Sequence, residues 1–178
     1  CEALAPFRRR LDALAKAAAA PEPQAVLVRD LLDTAAILHR RGDYSDALLH
    51  TCRALETGLR LRLFQLTGLR HPYPLSDLEK HLARRTSLLA RIRASSREGI
   101  TCMLGLRLVA EVLRALGEPL GEDFLQSRPL QDLVDARNEL SHSIRPVQQG
   151  ESRSFLDRVA RLLEPLALPE ATPRPGLG

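Results

Sequence analysis

The apolar residues of this chain recur at helical spacing along almost its whole length, and no stretch alternates apolar and polar residues with a clear period of two. Tyr44, Leu48, Cys52, Leu55, Leu59 and Phe64 fall on one stripe of the longest segment, while Arg53, Arg60 and Arg62 lie elsewhere on it. That periodicity belongs to a helix with one buried side. Aromatic residues make up 3% of the 178 and tryptophan is absent, so the residues that strands favour are scarce. The pattern predicts an all-α fold, a compact bundle of about six to seven helices.

Turn residues divide the chain. Glu2 to Ala20 reads as a first helix, broken by Pro21 and Pro23. Gln24 to Arg41 carries Val28, Leu31, Leu32, Ala35 and Leu38 at helical spacing. Gly42 stops it and Asp43 is a plausible N-cap for the long helix that Gly68, Pro72 and Pro74 end. Ser76 to Ile92 reads as one polar amphipathic helix with a basic face, and Gly99 to Leu116 as an apolar, central one. Gly117, Pro119 and Gly121 read as a loop. Pro129 opens a helix from Leu130 to about Ile144, and Ser152 to Leu166 forms the last. The spacing yields an N-terminal helix in residues 1–23, a helical domain in 24–168 and a Pro/Gly-rich tail in 169–178 that is expected to be disordered. The turn Arg41 to Leu48 looks like that of a tetratricopeptide pair, but no second copy follows at that period, which argues against a solenoid.

The formal charge is +4, with 26 basic and 22 acidic side chains. Lys16 and Lys80 are the two lysines, so the basic character is arginine. This permits an anionic partner without demanding one. Cys1, Cys52 and Cys102 are widely spaced and odd in number, which implies neither a disulfide framework nor a zinc site. No apolar run approaches the ~18 residues that span a bilayer, and no secretory leader is present; cytoplasm is the expected compartment. The chain begins with Cys1 and its one methionine is Met103, from which a piece of a longer protein or a processed chain is expected.

The informative stretch is Leu133 to His142. Leu130, Leu133, Val134 and Leu140 supply an apolar side, and Arg137, Asn138, Ser141 and His142 a polar one. Asn138 and His142 share a face four residues apart, as do Arg137 and Ser141. Arg137 and His142 lie about 140° apart around the axis. One helix therefore presents both to a groove but does not close them on a phosphate. A second copy related by a two-fold axis completes such a clamp. Pro146 disfavours helical geometry at Arg145, so the helix ends about one turn after His142. There the helix dipole favours imidazolium and Arg137 or Arg145 opposes it.

Arg137-Asn138-Glu139-Leu140-Ser141-His142 matches R-N-x-x-x-H, the signature of the HEPN superfamily (higher eukaryotes and prokaryotes nucleotide-binding). Gly42 to Ala47 and Arg53 to Glu56 also resemble the long helix of CRISPR-associated HEPN proteins, which carry a Rossmann-like sensor domain ahead of the HEPN domain. The resemblance covers about residues 25–165. It implies a metal-independent endoribonuclease that cuts single-stranded RNA in antiviral defence of the type III CRISPR kind, with no cofactor. It implies a homodimer with a composite site in which Arg137, Asn138 and His142 are catalytic and no metal is bound. Ser141, inside the motif but not one of its fixed positions, and Arg145 are expected to contact the RNA. An upstream sensor binding cyclic oligoadenylate would be the activator in such relatives, and this chain has no Rossmann-like segment to hold it. The alternatives are an inactive helical dimerisation or RNA-binding module, and a HEPN toxin.

Other residues carry less. His39, His50, His71 and His81 do not form a metal set and are expected at the surface or its boundary. Arg8 to Arg10, Arg40-Arg41 and Arg84-Arg85 could line an RNA path or be solvated helix faces. The few aromatics argue against a stacking platform for bases.

Overall fold

A computed structural model describes residues 5–19, 24–97, 99–140 and 146–169. Among these the chain forms nine α-helices: α1 Ala5–Ala19, α2 Ala25–Arg41, α3 Tyr44–Thr67, α4 Leu75–His81, α5 Thr86–Ala94, α6 Leu106–Ala115, α7 Pro119–Gln126, α8 Arg128–Leu140 and α9 Gln149–Leu163. A 3₁₀ turn, Glu164–Leu166, follows α9. The all-α expectation holds, with more and shorter helices than the spacing suggested.

The long helix α3 is the centre. It packs against α2, α6, α8 and α9. Leu48, Leu55, Leu59 and Leu63 are fully buried on it, and so is Ala54 on another side, so neighbours cover more than one face. The α2–α3 hairpin closes as the Gly42 signal predicts. Gly42 has φ +86°, its N–H donates to His39 O at 3.1 Å, and Asp43 N–H donates to Leu38 O at 2.9 Å. That paired geometry is the Schellman motif. Asp43 occupies the N-cap of α3, but its side chain makes no capping hydrogen bond.

Four expectations need correction. The helix expected over Ser76 to Ile92 is two. Continuing the Leu75–Leu78–Leu82 stripe would bring Arg85 or Thr86 onto the buried side. The chain breaks at Leu82 instead and restarts, so that Leu88, Leu89 and Ile92 reach the core. The stretch beginning at Gly99 is not helical until Leu106. Thr101–Cys102 (β3) pairs antiparallel with both Tyr73–Pro74 (β1) and Ser96–Arg97 (β2) in a three-stranded sheet, order β1-β3-β2. Strands of two residues are too short to show an alternating pattern. The expected loop at Gly117–Gly121 contains the start of α7. Pro119 sits at its first position, where a missing N–H costs nothing. Gly121 lies against α6, where a Cβ would come 2.5 Å from Ala110 O and 2.6 Å from Arg114 N. The last helix begins at Gln149, earlier than expected, with a capping box between Gln148 and Glu151.

Candidate active site

The motif helix α8 starts just after Ser127, whose carbonyl accepts from Leu130 N at 3.0 Å and Gln131 N at 3.1 Å. Leu130 and Leu133 are buried, with Val134 and Ala136 partly so, and this stripe seats α8 on α3 between α7 and α9. The seam is marked by Cys52, whose Sγ–H points at Leu133 O, 3.8 Å away. Arg137 lies one turn beyond Leu133 and is half-buried. It is close enough to act on the Cys52 thiol. Burial pushes that thiol up to about 12, the Arg137 charge works against the rise, and Glu56 adds to it.

From that seam a line of polar residues runs along α3 at four-residue spacing, Cys52, Glu56 and Arg60. Glu56 Oε1 and Arg60 Nη2 are 2.7 Å apart, both partly buried. The Arg60 end reaches the segment before β1. His71 and Tyr73 rings meet edge to face at 5.4 Å. Burial and the Arg60 charge hold His71 below its ordinary value, partly offset by Glu56. Burial pushes the Tyr73 phenol up to about 12 despite Arg60. Arg60 Nε and His71 Nδ1 are both buried without a hydrogen-bond partner among the described residues. Sequence reasoning placed Arg60 off the apolar stripe and left its relation to Glu56 and His71 unseen. The i, i+4, i+8 spacing of Cys52, Glu56 and Arg60 was the available signal.

Of the residues expected at the site, Arg137 is placed as described and Asn138 follows it in the last turn of α8. Ser141, His142 and Arg145 lie outside the described residues. On its solvent side Arg137 lines an open hollow of about 460 Å³ shared with Leu106, Arg107, Gln131, Val134 and Asp135. Among the described residues no group of three His, Cys, Asp or Glu is placed to hold a metal ion. No described helix is long and apolar enough to cross a membrane.

One histidine departs from expectation. His39 is buried, 8% exposed, between α2 and α9. Its Nδ1 is 3.1 Å from the buried Ser152 Oγ. It continues the stripe Val28, Leu32, Ala35 at the next helical step, which was the overlooked signal.

The match that decides the family spans this whole arrangement: the family model described as the Csm6 HEPN domain aligns with residues 16–166. The chain belongs to the Csm6 HEPN domain family. The matched span runs from the end of α1 through the 3₁₀ turn and contains the motif from Arg137 to His142. Csm6 HEPN domains are HEPN domains of CRISPR-associated proteins, and at family level membership supports a HEPN-domain nuclease of CRISPR systems. No curated protein and no solved structure matches the chain.

Proposed function

We propose that this chain is a metal-independent endoribonuclease that cuts single-stranded RNA at a site shared by two copies, in antiviral defence of the type III CRISPR kind. The observation that carries the reading is Arg137: a motif arginine on the last turn of a helix docked against α3, backed by Cys52 and opening onto a solvent-filled hollow.

RNA supplies its own nucleophile. The ribose 2′-OH attacks the adjacent phosphorus, the P–O5′ bond breaks, and the products are a 2′,3′-cyclic phosphate and a 5′-OH. Two tasks remain for the protein: moving protons and stabilising the crowded pentavalent phosphorane. Arginine remains charged at any working pH and its planar fork binds two non-bridging oxygens at once. Arg137 from each copy takes that role. His142 moves the proton, an effect worth roughly 10²- to 10⁴-fold. Asn138 orients the scissile phosphate, and Ser141 and Arg145 contact the flanking RNA. The internal nucleophile removes the need for a metal-activated water. An upstream sensor of cyclic oligoadenylate, outside this chain, would supply control.

The test is cleavage of a single-stranded RNA in the presence of EDTA. The full chain is expected to release 2′,3′-cyclic phosphate ends. Arg137→Ala and His142→Ala are each expected to lower the rate at least about 10²-fold. Undiminished cleavage by both variants refutes the site, and a strict requirement for a divalent cation refutes the mechanism.

A further inference from the structure

The hollow beside Arg137 does not end at α8. Arg91 lines both it and a second hollow of about 520 Å³ between α5 and α6. Arg85 lines both that one and a third, of about 490 Å³, at the α4–α5 turn. The three form one open furrow from the motif helix to Arg84. Seven arginine or lysine side chains line it against two carboxylates, Asp135 and Glu111. The whole chain has 26 basic and 22 acidic side chains, so positive charge is concentrated here.

What each cation does there separates structure from binding capacity. Arg91 is held by both Glu111 oxygens and Lys80 is 2.8 Å from Asp77. These charges are largely answered. Arg107 is different: its Nε and Nη2 both donate to one neutral acceptor, Gln131 Oε1, at 3.1 and 2.5 Å. Gln131 is itself fixed, since its amide donates to Phe124 O at 3.0 Å, which turns its oxygen toward Arg107. The guanidinium is thus aimed without being neutralised. Arg84 and Arg85 are exposed, and no carboxylate among the described residues pairs with them. Two rings lie in the lining: Phe124 is 1% exposed and offers no face to a base, and His81 is exposed at the Arg84 end.

We infer that this furrow is a track for the single-stranded RNA flanking the scissile linkage, binding its phosphates through Arg107, Arg85 and Arg84. The inference rests on the nuclease reading for its direction, because Arg137 stands at one end. Three unanswered guanidinium groups fit a chain of phosphates, and a lining whose one exposed ring is His81 fits contacts made to the backbone more than to the bases.

The probe is a fluorescent 2′-O-methyl oligouridylate of about 12 nucleotides, which binds but has no free 2′-OH to react, titrated by anisotropy over a range of salt. Arg84→Ala/Arg85→Ala/Arg107→Ala in the full chain is expected to bind about tenfold more weakly near 0.1 M salt, with the log–log salt slope shallower by about 2, from ~0.7 per lost single-strand phosphate contact. Gln131→Glu places a carboxylate where the neutral acceptor stood. It pairs with Arg107 at the cost of the amide bond to Phe124 O, and is expected to weaken binding while the far-ultraviolet circular dichroism stays that of the parent and the thermal midpoint falls by a few degrees. Unchanged affinity and slope in both variants overturn the track. Equal competition by polyglutamate of matched charge also overturns it, in favour of an acidic protein partner. If the parent fails to cut RNA yet the variants lose binding, the nuclease reading falls and the track stands. If the parent cuts and the triple variant cuts with unchanged KM, the track falls alone.

Discussion

Replacing a helical glycine by alanine ordinarily stabilises a helix by about 1 kcal/mol. Gly121→Ala is expected to do the opposite. A Cβ there would sit 2.5 Å from Ala110 O, 2.6 Å from Arg114 N and 2.7 Å from Leu113 Cβ, where two of the three atoms belong to the main chain of α6. No rotamer change clears them, so α7 must move off α6. A gap of 0.5–1 Å forfeits roughly a quarter to a half of the dispersion contact across it. Leu120 and Phe124 on α7 are 3% and 1% exposed. Each is worth about 1.5–3 kcal/mol when fully buried, so the displacement costs about 1–3 kcal/mol. Residual overlap with the backbone adds about 1–2 kcal/mol. After the gain in helix propensity, the net loss is about 2 kcal/mol, or about 4–8 °C in melting midpoint for a chain of this size. Gly150 provides the internal control. It is also helical, nothing lies within 4 Å of its would-be Cβ, and alanine there is expected to be neutral or stabilising. Calorimetry or circular dichroism of the two variants beside the parent decides the matter. A Gly121→Ala midpoint at or above that of Gly150→Ala refutes the steric argument and with it the described fit of α7 on α6.

Two further outcomes follow from buried groups. Cys52 has a folded value raised from 9.0 to about 12, so its contribution to stability is fully present below 9 and is lost as the pH rises toward 12. Between about pH 8 and about pH 10.5 that loss is on the order of 2 kcal/mol in urea unfolding, and Cys52→Ala is expected to flatten it; an identical alkaline slope in the variant counts against the buried thiol. Ser152→Ala leaves His39 Nδ1 buried without its 3.1 Å partner, and a loss of about 1–3 kcal/mol is expected, whereas an unshifted midpoint would mean that the pair contributes nothing.

The helical architecture was legible because α2, α3 and α8 each carry a long apolar stripe. What escaped has local physical causes. The α4–α5 break has no proline or glycine to announce it; it arises because Arg85 falls where the stripe requires an apolar residue. The β1-β3-β2 sheet has strands of two residues, below any period. Pro119 and Gly121 read as breakers because their usual meaning is a turn, yet here one starts a helix and the other admits a neighbouring backbone. Of the site, the motif from Arg137 was visible as a pattern of residue types. The Glu56–Arg60–His71 line and the furrow were not. Each depends on side chains from separate elements, Arg60 on α3 with His71 before β1 in one and Arg84 through Arg137 in the other.

The surroundings of Arg137 also narrow which group can make cleavage depend on pH. The Cys52 thiol and the Tyr73 phenol both stand at about 12, so near neutrality both are protonated and silent. His71 is held below its ordinary value by burial and Arg60 and belongs to the far end of the α3 line, where its ring meets Tyr73. Within the proposed reaction, the proton-moving role stays with His142 of the R-N-x-x-x-H motif and not with the line behind Arg137. Behind Arg137 stands the Cys52 thiol, neutral near pH 7, with Glu56 one turn along α3. A second cation there would raise the cost of half-burying the guanidinium.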